Sequence, residues 1–408
     1  MVGKIFVPSR AKQKLSVVEG DLTIGRDAVI EGSGTPPVVK VLGSVYCEGR
    51  NIFEGSLEAE VFEGEYDVWI HGNLTVRRSI ELEDGHLEVN GNVTAGRVDI
   101  GSALYIDGDL HVEEVDIGGS LRVYGQVDSK EIDVGGSFEA KGRVKAERVD
   151  VGGNVSIESE VAITKVDVGG TVSVGGGRIG DVDVGGSFES SGALEFGQID
   201  VGGAVRLAGN SKGGDIGVGG SLKADRELEF GSIEVGGKVE IKGSGKGVEM
   251  EVGGRVEIDG RLEISRGLEV GGKIEAHDEI VAENIEVGGV LSAKKATAKE
   301  RIEVGGLIET VQGIFASLIE IGSHGKIRGP AEADQIIVGR DAHVETIRGR
   351  KIHMKRGATA ENIYGEDITI ENGSRINGEI KYTKKLETEG NVSFAKEPQK
   401  VTTLPGSS

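Results

Sequence analysis

The stretch Gly118–Val134 reads GGSLRVYGQVDSKEIDV. Its apolar residues fall as short pairs separated by one residue, such as Leu121 with Val123 and Ile132 with Val134. The following copies keep the pattern: Phe138 and Ala140, Val144 and Ala146, Val149 and Val151, then Val155 and Ile157, Val161 and Ile163, Val166 and Val168. Period-two alternation makes each pair a strand with both apolar residues on one face. Three strands and three turns consume seventeen residues, which closes a three-sided coil. A helix is excluded, because alternation over such short runs gives no helical stripe and β-branched Val and Ile dominate.

The same unit repeats. Twelve Gly-Gly pairs open at Gly118, Gly135, Gly152, Gly169, Gly185, Gly202, Gly219, Gly236, Gly253, Gly271, Gly288 and Gly305, seventeen residues apart with two single-residue slips. A long fixed period marks a solenoid. The glycine-rich breaks suit corners that need either φ > 0 or close backbone approach. The expected fold is all-β: a single long parallel β-helix solenoid with three short strands per coil. Right-handed coiling is favoured by the crossover rule. Paired apolar positions continue upstream to Leu22 and Ile24 and downstream to Ile368, Ile370, Ile380 and Tyr382. The solenoid is therefore expected over residues 15–383, as about 21 coils rising ~4.8 Å each, or roughly 100 Å. Residues 31–40 and 60–67 interrupt the period and read as loops. Residues 1–14 read as an N-terminal cap or interaction segment, and 384–408 as a flexible or loosely docked tail.

One coil of small apolar side chains does not offset the entropy of ordering it, so stability depends on stacking. The two terminal coils then keep unpaired ladder edges, which invite another chain.

Composition narrows function. Glycine makes up 69 of 408 residues and aromatics 4%, so the chain is far from average globular composition. A net charge of −21 argues against nucleic acid as a partner. No apolar run approaches a membrane span and no signal-peptide core opens the chain, which favours a cytoplasmic protein. One cysteine, Cys47, excludes an internal disulfide framework. It aligns with an inward position.

The strongest chemical pattern is an acidic column. The middle residue of the third strand is Asp99, Asp116, Asp133, Asp150, Asp167, Asp183 and Asp200, then Glu234, Glu251, Glu269, Glu286, Glu303 and Glu320. Alternation places these outward on one face. Such a face keeps the surface solvated and discourages side-by-side sheet packing. Asp116, Asp133, Asp150, Asp167, Asp183 and Asp200 are also the candidates for a divalent-cation or basic-partner ladder. The change from Asp to Glu near Gly217 hints at two duplicated blocks.

Near the C-terminal end the charge reverses. Arg340, Arg348, Arg350, Lys351, His353, Lys355 and Arg356 fall within about one coil, and His353 takes the place of the acidic residue. Arg348, Arg350, Lys351, Lys355 and Arg356 form the candidate basic patch, facing an acidic surface of another subunit or anionic lipid. Other signals are weak. Gly175–Gly180 matches G-x-G-x-x-G with no helix after it. The seven histidines show no metal spacing. The five sequons at Asn73, Asn92, Asn154, Asn372 and Asn391 read as polar corner residues before outward Ser or Thr. No catalytic residue and no cofactor are expected.

The chain resembles the bactofilins, the polymer-forming cytoskeletal proteins. The resemblance is clearest over residues 333–380, ADQIIVGRDAHVETIRGRKIHMKRGATAENIYGEDITIENGSRINGEI, where V-x-G and G-x-x-apolar units recur. It implies nucleotide-independent, end-to-end polymerisation through terminal coils, often at a membrane and with flexible tails. This chain is much longer than the typical member. The expected function is thus a non-enzymatic structural protein whose main partner is itself, with membrane surface or envelope components as further partners. Self-association is expected at Leu22, Ile24, Ile368, Ile370, Ile380 and Tyr382, with Ile5, Phe6 and Val7 as modulators. The alternative is a cell-surface binding protein that holds cations, polysaccharide or basic partners on its acidic face. A lyase or acyltransferase on the same fold lacks clustered His, Arg and carboxylates outside the monotonous column.

Overall fold

The computed structural model describes residues 3–405. Contacts divide the chain into two compact units, one running to Gly203 with Leu207–Gly209, the other comprising Ala204–Arg206 and the residues from Asn210 on. Both are all-β parallel solenoids with about 17 residues per turn, and together they hold about 23 turns, where the sequence suggests about 21. Among the described residues there is no helix. The last Asp of the acidic column, Asp200, belongs to the first unit and the first Glu, Glu234, to the second.

In the first unit one coil runs through Glu131–Val134, Ser137–Ala140 and the first half of Val144–Val151. These strands define a first, second and third face. Each residue lies in register with its equivalent one coil away: Ile132 with Val149, Phe138 with Val155, Val144 with Val161. The inward residues Ile132, Val134, Phe138, Ala140, Val144 and Ala146 are all buried. The core is a column of small aliphatic side chains punctuated by Phe, as the alternation predicts.

The paired glycines between the first and second faces do not need a left-handed backbone. None of Gly118, Gly135, Gly152, Gly169, Gly185 or Gly202 is among the glycines with positive φ. They need space. A Cβ on Gly152 would stand 2.4 Å from the carbonyl oxygen of Gly135, and one on Gly169 2.5 Å from that of Gly152. From Gly136 to Gly203 the second glycine of the pair hydrogen-bonds to the coil before, Gly153 N–H donating to Gly136 O at 2.8 Å and Gly170 N–H to Gly153 O at 2.9 Å.

A different corner appears where the pairs fade. In the second unit His324, Asp341, Gly357 and Gly373 take left-handed φ values of 60°, 54°, 75° and 79°. Each N–H donates to the neighbouring coil, as from His324 to Arg340 O at 2.7 Å. Arg10 and Asp27 form the same turn in the first coils of the first unit, with φ of 60° and 58°. The tetrapeptide Gly-Arg-Asp-Ala occurs at both places, 25–28 and 339–342. There Asp supplies the left-handed residue that a tight turn requires.

Three expected boundaries change. Residues 60–67 are not simply a loop: Val61–Gly64 is a strand in register with Ser44–Cys47 on one side and, through Phe62, with Ile80 on the other. Its alternation is hidden because glycine fills the inward slot at 64, where Leu82 Cδ1 occupies the place of a Cβ. By contrast 31–40 does contain an excursion, closed by an antiparallel bridge between Ser33 and Val38. The ladder also begins before residue 15, because Ile5–Val7 pairs with Leu22–Ile24 and Lys12–Lys14 with Val29–Glu31. It likewise continues past 383. Lys385–Thr388 pairs with Asp367–Ile370, Ser393–Phe394 with Arg375–Ile376, and Gln399–Lys400 with Lys381–Tyr382. Residues 1–2 and 406–408, the extremities of the expected cap and tail, lie outside the described residues.

Candidate functional site

The acidic column forms as read. In the first unit Asp99, Asp116, Asp133, Asp150, Asp167, Asp183 and Asp200 lie in one unbroken register on the first face. It also extends through Glu81 to Glu63, which the loop reading of 60–67 concealed. In the second unit Glu234, Glu251 and Glu269 align, as do Glu286, Glu303 and Glu320. The column then passes to Ile337 and His353.

The column is not bare. Two residues before each acid, the same strand carries a second outward column in which cations are interspersed. Arg97 lies 3.3 Å from Asp99, 3.1 Å from Glu114 and 3.8 Å from Asp116. Arg148 lies 2.7 Å from Asp150 and 3.9 Å from Glu131. Between these two arginines Asp133 has its carboxyl pushed up, by burial first and then by the charges of Asp150 and Asp116. In the second unit Arg301 bridges Glu303 and Glu320. The face therefore presents a carboxylate column partly neutralised by the interspersed arginines. Among the described residues no group of three His, Cys, Asp or Glu side chains could hold a metal ion.

The second face carries two patterns not read from sequence. In the first unit Val29, Ile52 and Trp69 stack outward in one column, half-buried. Glu88, Tyr105 and Arg122 follow on the next rungs, with the Arg122 guanidinium 5.6 Å from the Tyr105 ring centre. In the second unit Lys238, Arg255 and Lys273 stand beside Glu240, Glu257 and Glu275. Lys238 reaches Glu240 at 3.1 Å, Arg255 reaches Glu257 at 2.8 Å and Glu275 at 3.1 Å, and Lys273 reaches Glu275 at 2.7 Å. The sequence signal was the recurrence of KVEI, RVEI and KIEA at coil spacing.

The basic cluster does not gather into one patch. Arg348 projects from the third face, in register with Glu332 and Tyr364, while Lys351 and His353 lie on the first face, in register with Asp367 and Thr369. Lys355 and Arg356 fall at the corner beyond. Acids are interposed: Arg350 pairs with Asp334 at 2.7 Å, and Glu371 takes His353 at 2.9 Å and the Arg356 N–H at 2.9 Å. A coil turns through three directions in about 17 residues, so nearness in sequence does not put side chains on one face.

Most of the expected joint residues are covered. Leu22 and Ile24 are buried beneath Ile5–Val7. Ile368, Ile370 and Ile380 are buried, and Tyr382 is half-buried under Lys400. What remains open is the first coil. Phe6 is 59% exposed, and Ile5, although at an inward position, is 37% exposed because among the described residues no strand stacks on its other side. Val7 is buried.

The minor features find structural roles. Cys47 is fully buried, and burial pushes its thiol up. Four sequon asparagines act as corner acceptors. Asn73 Oδ1 takes the Asn92 N–H at 2.8 Å, Asn92 Oδ1 the Asp109 N–H at 2.9 Å, Asn154 Oδ1 the Thr171 N–H at 3.0 Å, and Asn372 Oδ1 the Asn391 N–H at 2.9 Å. Gly177, within the G-x-G-x-x-G match, opens the strand Gly177–Val184 rather than a helix. No helix among the described residues is long and apolar enough to cross a membrane. Compared with known proteins, the chain matches no family model, no curated sequence and no solved structure.

Proposed function

We propose that the protein is a non-enzymatic structural element that joins end to end with further copies of itself, without nucleotide, into filaments or scaffolds. The observation that carries this reading is the open first coil. Among the described residues no strand pairs with the outer edge of Ile5–Val7, and the side chains of Ile5 and Phe6 are exposed there. An unpaired strand edge supplies main-chain donors and acceptors that another strand satisfies. The resemblance of residues 333–380 to the bactofilins supports the same reading. Electron microscopy of the full chain without nucleotide tests it, over a range of protein and salt concentrations. Filaments or chains of particles joined at their ends are expected. Monodisperse monomers under every condition sink the proposal.

A second reading is a binding protein that presents a long face to an extended partner. The outward, half-buried column of Val29, Ile52 and Trp69 favours it, since a contiguous apolar strip on an otherwise charged face suits a binding partner. Its sign would be quenching or shifting of the Trp69 fluorescence by polysaccharide while the chain stays monomeric.

A further inference from the structure

The C-terminal segment does something the repeat does not require. The strands Ser393–Phe394 and Gln399–Lys400 are two residues each and complete the last coil. Main-chain bonds at their ends tie them to the coil before: Ser393 N–H donates to Ser374 O at 3.0 Å, Ala395 N–H to Ile376 O and Val401 N–H to Tyr382 O, both at 2.9 Å. Phe394 and Val401 are only half-buried. A terminal coil this short, covered on one side, sits at the low end of local stability.

The chain then doubles back. Gln399 lies over Lys381, Lys381 over Tyr364 and Tyr364 over Arg348, so Arg348 is three rungs away on the third face. Leu404 nevertheless lines a groove there with Phe315, Ala333, Gly349 and Arg350. Beside it Arg348 donates from Nη2 to the carbonyl oxygen of Pro405. The guanidinium lies 5.4 Å from the Tyr364 ring centre, which fixes its plane, and its Nη1 is buried without a hydrogen-bond partner. Four residues from Lys400 to Leu404 reach at most about 14 Å, close to three rungs of ~4.8 Å. The backbone bends at Thr402 and Thr403 and turns at Pro405, which carries the segment off the last coil and back across the earlier ones.

We infer that residues 402–405 form a latch. Leu404, seated beside Arg348, straps the last coil to the coils before it and keeps Ser393–Phe394 and Gln399–Lys400 formed. The ligand of the groove is thus the chain's own apolar, proline-containing C-terminal segment. The consequence for assembly rests on the end-to-end reading above: a joint at this end needs a finished edge, and the latch holds that edge in place.

Hydrogen exchange of the full chain, of a chain ending at Val401, and of Leu404→Glu and Arg348→Ala tests the latch without requiring assembly. Peptides covering 390–401 are expected to exchange roughly tenfold faster in all three variants, while peptides from Thr359–Ile370 keep their protection. Unchanged exchange at 390–401 overturns the latch whether or not filaments form. Wild-type protein that never associates overturns the assembly reading and leaves the exchange result to decide the latch alone. Fewer joints in the variants are expected by microscopy. Faster exchange combined with stronger association would show that the segment obstructs the joint, and overturns the role given to it.

Discussion

The Cα of Gly135 faces the carbonyl oxygen of Gly118 one coil earlier, so closely that a Cβ at Gly135 would stand 2.3 Å from that oxygen. The obstacle is backbone, which cannot swing aside. Gly135→Ala is expected to destabilise by about 1–3 kcal/mol as the rungs part. Gly267 provides the contrast. Its nearest neighbour to a Cβ is a Glu249 carboxylate oxygen at 3.7 Å, so Gly267→Ala is expected to be neutral or to stabilise by up to about 1 kcal/mol. Urea midpoints of the two variants decide whether crowding, rather than glycine content, explains the repeat.

Arg148 sits between Glu131 and Asp150 and is substantially exposed. Its pairs are screened, so Arg148→Gln is expected to cost no more than about 1 kcal/mol at low salt. The deficit should shrink further as salt is raised past the point where the Debye length falls below the rung spacing. Thermal scans of wild type and variant at two ionic strengths check this. A deficit that grows with salt would mean that Arg148 acts through packing instead.

Acid should act with opposite sign on the two kinds of carboxylate. In the second unit Asp225 is held below the usual carboxylate range chiefly by Lys242, Glu240 by Lys223 and Lys238, and Glu275 by Lys273. A depressed carboxyl contributes stability above its unfolded value that is lost as pH falls through its folded one, below roughly pH 4. Asp133 is raised, so its contribution is favourable when protonated and disappears as pH rises through its folded value. Glu275→Gln should therefore lower the urea midpoint at neutral pH and lose that effect in strong acid. Asp133→Asn should raise the midpoint at neutral pH, and its advantage should vanish in acid.

The Cys47 thiol is enclosed, in register between Ile24 and Gly64, and its ionisation is opposed by burial. Since the thiolate is the reactive form, a thiol reagent is expected to leave native protein unlabelled and to modify it stoichiometrically in denaturant. Rapid labelling of the native chain would mean that the first coils open readily.

Phe6 tests the open edge directly. Its side chain is 59% exposed, so Phe6→Glu should leave the melting temperature within about a degree or two, as for other surface changes. If the first coil forms a joint, the same change should abolish or sharply weaken association measured by sedimentation. Association equal to wild type would place the joint elsewhere.

How far the sequence could be read depended on whether a feature repeats. The inward alternation from Leu121 to Val168 and the outward acids from Asp99 to Glu320 were legible because each recurs at coil spacing. Where a glycine takes an inward slot, as at Gly64, the alternation disappears and a strand looks like a loop. The ends of the ladder are hard to see in the sequence for a related reason. Lys12–Lys14 and Gln399–Lys400 are polar strands held by main-chain pairing to a neighbour, and main-chain pairing leaves no trace in composition.

By itself, the sequence determined the parallel solenoid, its coil length and which residues face inward, because burial of alternate small side chains admits one period. Only the tertiary structure decided that the paired glycines serve close approach rather than left-handed turns, since that depends on the distance between stacked backbones. It also decided that arginines two residues away partly neutralise the acidic column, that the basic residues from Arg348 to Arg356 diverge onto different faces, and that Leu404 and Pro405 return to Arg348. Each of these concerns which side chains and carbonyls meet across coils or around a corner, and that follows from the register and turns of the folded ladder.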